Sequence, residues 1–122
     1  MTRPEITGKR SLAFSKWIKD KLPDSETGYL VYNLDFILWH KDERKLILIE
    51  EKTRFGELAQ AFRMLMINVI APALRNYAKE NEIDFRGFML IQFENTCPSD
   101  GKIYLNDKEI SEEELIKILS ME

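Results

Sequence analysis

Two hydrophobic runs in this chain end in charge. The stretch DFILWHKDERKLILIEEKT, residues 35–53, opens on Asp35 and closes on Glu50, Glu51 and Lys52, and its interior is rich in strand-forming apolar residues. Between the runs, Lys41 to Arg44 is short and charged, the pattern of a hairpin connection. A two-residue turn centred on Asp42 and Glu43 would set Asp35 directly opposite Glu50. Side chains alternate along a strand, so Lys52 then shares the face of Glu50 and Glu51 points to the other. Facing residues hold their Cβ atoms about 4.5 to 5.5 Å apart, close enough for two carboxylates to repel. A divalent cation between them relieves that repulsion, and Mg²⁺ or Mn²⁺ prefers such hard carboxylate oxygens. A raised pKa that keeps one carboxyl protonated is the other remedy. A three-residue loop would pair Asp35 with Glu51 instead. In the plain alternative, Glu50, Glu51 and Lys52 are the solvated end of a strand.

Composition narrows the chemistry. One cysteine, Cys97, forms no internal disulfide, and one histidine, His40, with one cysteine cannot supply a His/Cys zinc site. A metal in this protein is therefore held mainly by oxygen. The chain has 122 residues, 44% hydrophobic and 32% charged, enough for one domain with a core of its own. No stretch has the apolar length of a membrane span and the start has no signal-peptide h-region, so the expected location is the cytoplasm, away from membranes. The net charge is −3 but unevenly spread. Lys9, Arg10, Lys16, Lys19 and Lys21 crowd the beginning, and Asp107, Glu109 and Glu112 to Glu114 crowd the end. One basic face is compatible with an acidic total. No P-loop, GxGxxG or Ser-His-Asp grouping is present, which removes the main support for NTPases, dinucleotide enzymes and triad hydrolases.

The elements that must position these residues follow from periodicity. Ser11 to Leu22 reads as a helix capped by Ser11 and stopped before Pro23. Tyr29 to His40 and Leu46 to Thr53 read as the two hairpin strands. Both faces of the pair are apolar, with Ile37, Trp39, Leu46 and Leu48 on the Asp35 side and Leu34, Phe36, Leu38, Ile47 and Ile49 on the other, so cover is expected on both sides. After Gly56 a helical pattern runs from Glu57 to about Lys79, and Pro72 should kink or split it. Arg86 to Glu94 is a third strand. Lys102 to Leu105 is a short fourth that enters a tight turn at Asn106 and Asp107. Ser111 to Leu119 is a last helix with a capping-box pattern, Ser111 and Glu114. The order α, β, β, α, β, β, α predicts an α/β domain spanning residues 1–122, a mixed central sheet flanked by helices.

Asp35, then Glu50-Glu51-Lys52 at the end of the next apolar strand, then a helix and a strand, resembles the PD-(D/E)XK nuclease superfamily over roughly Ser11 to Glu94. That superfamily has a restriction-endonuclease-like core and includes Holliday-junction resolvases and many phage and archaeal-virus nucleases. The resemblance implies that Asp35 and Glu50 ligate Mg²⁺ or Mn²⁺, that the backbone carbonyl of Glu51 adds a third oxygen, and that Lys52 orients or activates the attacking water and offsets phosphate charge. It implies a metal-dependent deoxyribonuclease with little beyond that core for reading sequence, so that cleavage of DNA is expected to be structure-selective or nonspecific, with the chain as a homodimer. Leu34 stands where the eponymous proline would be. The acid that many relatives carry on the first helix has only Asp20 to match it, leaving Glu5 or Glu26 to serve. Gln60 resembles a glutamine that some branches place near the site, although Met64 stands where their tyrosine follows. Arg10 and Arg54, with Lys9 and Lys16, are candidate phosphate contacts, which makes DNA binding salt-dependent.

His40 falls on the face opposite Asp35 and reads as a solvated strand-end residue, not a general base. Trp17, Trp39, Met64 and Met66 are expected in the core. The alternative function is a nucleic-acid- or protein-binding module that keeps the nuclease fold without its activity.

Overall fold

The computed structural model describes residues 8–28 and 30–122, and of residues 8–12 the backbone alone. Glu5 and Tyr29, and the side chains of Lys9 and Arg10, lie outside the described residues. The chain divides into two compact units, Met1–Tyr32 and Asn33–Glu122.

In the first unit, helix α1 spans Gly8–Lys21. It begins before Ser11, which therefore lies inside the helix instead of capping it. Its end matches the expected stop, with Lys19 and Lys21 in the last turn, where cations suit the carbonyl end of the dipole. A 3₁₀ turn, Ser25–Thr27, follows: the Asp24 side chain accepts from the Glu26 amide, and left-handed Gly28 (φ 91°) donates to the Ser25 carbonyl. Trp17 stacks on Phe14 with ring centroids 5.9 Å apart. Both rings are exposed, so Trp17 is not the core residue expected of it.

The second unit is a five-stranded mixed sheet with helices, an α/β arrangement. The strands β1 (Phe36–His40), β2 (Lys45–Lys52), β3 (Asp84–Phe93), β4 (Ile103–Leu105) and β5 (Lys108–Ile110) lie in sequence order across the sheet. Only the β2–β3 pair is parallel. That pairing needs a crossover, which a helical stretch from Gln60 to Glu80 supplies.

The hairpin register is the one the sequence predicts: Phe36 pairs with Ile49 and His40 with Lys45. The connection, however, is a four-residue loop, Lys41 to Arg44, instead of a two-residue turn. One residue has been withdrawn from each strand, which leaves the register unchanged. Left-handed Arg44 (φ 54°) closes the loop, and His40 Nδ1 accepts from the Glu43 amide at 3.1 Å. His40 thus serves the loop. The first strand is also shorter than expected, since regular pairing starts only at Phe36.

The crossover explains how Pro72 is tolerated. It lacks an N–H and clashes with the turn before it in a regular helix. Here α2 (Gln60–Leu65) widens into a π-helical turn, Met66–Ile70, before α3 (Ala71–Glu80) resumes with Pro72 in its first turn. The Ala71 amide reaches back to the Met66 carbonyl, five residues away. A wider turn splits the helix where the proline predicts a break, and the helix starts at Gln60 instead of Glu57.

β4 and β5 form a hairpin through Asn106 and Asp107, both left-handed (φ 49° and 70°), the conformation of a type I′ turn. β5 was not foreseen, because Lys108 to Ile110 carries too few apolar residues to signal a strand. Helix α4 (Glu112–Leu119) has its capping box: Ser111 accepts from the Glu114 amide and the Glu114 side chain accepts from the Ser111 amide.

The core lies on one face of the sheet, where Ile47, Ile49, Ile91, Phe93 and Ile103 pack with Leu115 of α4 and Met121. The other face carries Leu48, Phe88 and Leu90 and receives α2, with Phe62 set edge-on to Phe88 at 6.1 Å. Of the residues expected inside, Met66 is buried, but Trp39 and Met64 are about half exposed. Nor is β1 covered on both sides, since Phe36, Ile37 and Trp39 are exposed. It is an edge strand, and the apolar pattern records composition without recording which strands have two neighbours.

Candidate active site at the open end of the hairpin

Regular pairing of β1 with β2 stops at Phe36 and Ile49, one step short of Asp35 and Glu50. Beyond that point side chains take over from the backbone ladder. The Asp35 amide donates to Glu50 Oε1 at 3.3 Å, and the Glu51 amide donates to Asp35 Oδ2 at 2.9 Å. Lys52, next along the Glu50 face, brings its Nζ to 3.6 Å from Glu50 Oε2. Asp35, Glu50 and Lys52 are thus brought together. It is the Glu51 amide that contacts Asp35, while the Glu51 side chain lies half-buried.

Glu50 is the one charged residue buried among the described residues, at 6% exposure, whereas Asp35 is exposed. Burial pushes the Glu50 carboxyl above the ordinary carboxylate range, and the neighbouring Asp35 pushes it further, against an opposing pull from Lys52. Glu51 is raised too, first by burial and then by Asp35. A buried acid beside a second acid at the frayed end of a hairpin is an arrangement that disfavours its own negative charge. Among the described residues no group of three or more His, Cys, Asp and Glu side chains is placed to hold a metal ion.

The segment after Lys52 is tightly held. Arg54 and Phe55 are both left-handed (φ 50° and 51°), uncommon for residues with a Cβ. Their amides donate to the carbonyls of Asn95 and Phe93, which ties the elbow to the end of β3. Phe55 packs on Tyr104 at 5.1 Å. A Cβ added to Gly56 would lie 3.3 Å from the Thr53 carbonyl, a tight approach, and 3.5 Å from the Lys52 Cβ, an ordinary contact. Gln92, the β3 partner of Lys52, donates its Nε2 to the Gly56 carbonyl at 3.0 Å. Sequence reasoning overlooked Gln92, although a lone amide inside the apolar run RGFMLIQFE was a visible signal.

Gln60 is the first residue of α2 and is exposed. Arg54 is exposed, and its backbone serves the elbow. Glu26 belongs to the first unit, in its 3₁₀ turn. Arg10 lies in α1 with its side chain outside the described residues, as Glu5 is altogether. No helix is long and apolar enough to cross a membrane among the described residues. No protein-family model, curated protein or solved structure matches the chain.

Proposed function

We propose that this protein is a metal-dependent nuclease that hydrolyses DNA phosphodiester bonds, with a restriction-endonuclease-like core of the PD-(D/E)XK type. The observation that carries the reading is the meeting of exposed Asp35, buried Glu50 and the Lys52 ammonium at one point, where the β1–β2 ladder gives way to side-chain bonds. The topology supports it: the strand bearing Glu50 and Lys52 is followed by a helical crossover and a parallel neighbour, the order expected from the resemblance.

The donor set suits Mg²⁺ or Mn²⁺. Such ions are held through one or two carboxylates and keep several waters, so two carboxylates are sufficient. Asp35 and Glu50 would hold the ion, with the Glu51 carbonyl as a third oxygen. When bound, the ion would supply a Lewis acid for the phosphoryl oxygen and lower the pKa of water. Glu50, raised in pKa by burial and by Asp35, gains the most from a positive neighbour. Lys52 sits on the same face and presents an ammonium suited to a non-bridging phosphate oxygen. Gln92 and Gly56 position the Lys52 stem through the elbow.

The competing reading is a binding module that retains the arrangement without catalysis. Incubating the full chain with plasmid, single-stranded and branched DNA in Mn²⁺ decides between them. The nuclease reading expects cleavage that disappears in Asp35→Ala and Lys52→Ala. Intact DNA with every substrate, alongside DNA binding, would establish the module instead.

A further inference from the structure

We infer that the hairpin end of this same sheet face is a docking shelf for an unpaired nucleic-acid strand, with Trp39 as a base-stacking platform and Arg44 and Arg75 as its phosphate contacts. The proposal rests on the nuclease reading for the position of the scissile bond, and on its own observations for the binding.

The strand registers set Trp39, Leu46 and Phe85 in one row across β1, β2 and β3. A β-bulge between the Leu46 and Leu48 pairings, where left-handed Gly87 (φ 98°) sits, preserves the face: Leu48 pairs with Phe88 and Glu50 with Leu90. By alternation the row shares its face with Glu50 and Lys52. Trp39 is 45% exposed, and Ile37, between it and Asp35 on the same face, is 64% exposed. The Arg44 guanidinium lies 5.9 Å from the centre of the Trp39 ring and is steadied by a 3.1 Å bond to the Asn81 carbonyl. The Arg75 guanidinium lies 5.5 Å from the centre of the Phe85 ring. Arg63 lines a cavity of about 240 Å³ on this side of the sheet with Phe88, Leu90 and Asp107, so its charge there is partly offset.

None of these three arginines has a carboxylate partner among the described residues, where the ion pairs engage His40, Lys45, Lys52 and Arg86. Two guanidinium groups outside any ion pair, one set against the exposed Trp39 ring and one against the partly buried Phe85 ring, suit a ligand that offers anions and flat π-faces in alternation. An unpaired strand does so. A duplex offers the phosphates but hides its base faces in the stack. Trp39 is four residues from Asp35, about 13 Å along a strand. An unpaired strand is more extended than the duplex's 3.4 Å per nucleotide, so that distance holds at most about four nucleotides and the shelf would grip the substrate a few nucleotides from the bond that is cut.

The test uses the full chain with EDTA present, in a Trp17→Phe background that leaves Trp39 as the single tryptophan. Titration with a single-stranded twelve-nucleotide DNA should quench Trp39 emission, and a blunt duplex of that length should quench it far less. By anisotropy of the labelled strand, Trp39→Ala should weaken binding about tenfold or more, as loss of one base stack does. Trp39→Phe, which keeps a ring and guards against misfolding, should retain most of the affinity. Arg44→Ala and Arg75→Ala should each reduce the slope of log affinity against log salt by about 0.7. Binding within twofold of wild type in both Trp39 variants would overturn the shelf, as would Trp39 emission that changes with protein concentration alone, which would assign the face to self-association. Cleavage is scored separately on plasmid with Mn²⁺. Strand binding without cleavage defeats the nuclease reading and leaves the shelf standing. Cleavage with unaltered binding by the Trp39 variants does the reverse.

Discussion

Asp35 and Glu50 are joined crosswise: the amide of Asp35 donates to the Glu50 carboxylate at 3.3 Å, while the Asp35 carboxylate accepts the amide next to Glu50 at 2.9 Å. The two acids therefore differ in what they do for the fold. Each accepts a backbone amide, but Asp35 does so while exposed, and Glu50 does so buried beside a like charge. Glu50→Gln should raise the melting temperature of the metal-free protein by a few degrees, since relief of like-charge contact contributes about 1 kcal/mol and that shifts a domain of this size by about 4 °C. Asp35→Ala relieves the same repulsion but strips the Glu51 amide of its acceptor, so its melting temperature should fall below that of Glu50→Gln. Both should reduce cleavage by about a hundredfold or more and remove the stabilisation by Mn²⁺. Calorimetry beside a plasmid assay checks all three, and a less stable Glu50→Gln protein would contradict the account of burial.

Burial and Asp35 raise the Glu50 carboxyl in the folded state, so above the ordinary carboxylate pKa the native protein binds a proton that the unfolded chain has released. Stability of the metal-free protein should then fall as pH rises from about 4.5, and level off once Glu50 has ionised. Glu51, raised for the same first reason, adds to that trend. Mn²⁺ should oppose it, with a stabilisation that grows with pH. Melting curves in EDTA and in Mn²⁺ across pH 4.5 to 8 test this, and Glu50→Gln should flatten the EDTA series. A metal-free melting temperature that climbs through this range would contradict the assignment.

On the nuclease reading Gln92 positions Lys52, through the Gly56 carbonyl and the strand pairing. Gln92→Leu removes the donor to the Gly56 carbonyl and frees the elbow beside Lys52. The expected result is a kcat about tenfold lower with KM little changed, the signature of misplaced chemistry rather than lost binding. The melting temperature should drop by no more than about 4 °C, the effect of one net hydrogen bond. Gly56→Ala should act in the same direction and more weakly, since the added Cβ meets the Thr53 carbonyl at 3.3 Å and the Lys52 stem at 3.5 Å.

Ser111→Ala separates stability from chemistry. The hydroxyl accepts from the Glu114 amide at 3.1 Å, and its loss should destabilise the fold by about 1 kcal/mol, or about 4 °C. Ser111→Asp should restore most of this. Cleavage below the melting transition should match wild type in both, since α4 packs on the face opposite Glu50.

The hairpin register, the proline break, the Asn106-Asp107 turn and the Ser111 capping box were legible because each is a local matter of spacing and backbone conformation. Two features were not. The apolar pattern of Phe36 to Trp39 gave no means of telling an edge strand from a central one, because that depends on neighbours distant in sequence. For the same reason Trp39 looked like core and is in fact half exposed. Gln92 is brought beside Lys52 only by the parallel β2–β3 pairing across the whole crossover. Alternation alone placed Asp35, Glu50 and Lys52 on one face, but the crosswise bonds arise because the ladder ends early, which periodicity does not encode.

The left-handed elbow at Arg54 and Phe55 is bonded to Phe93 and Asn95, where β3 runs into the loop that Asp100 braces through Thr96 and Cys97. That loop is therefore an anchor for the lysine although it lies outside the cluster of acids. Lengthening it at Ser99 would be absorbed by the tip, whereas a change at Asn95 would pull on the tether and swing the ammonium away from its neighbours. Random mutagenesis should reveal this as an asymmetry of tolerance between two positions only four residues apart.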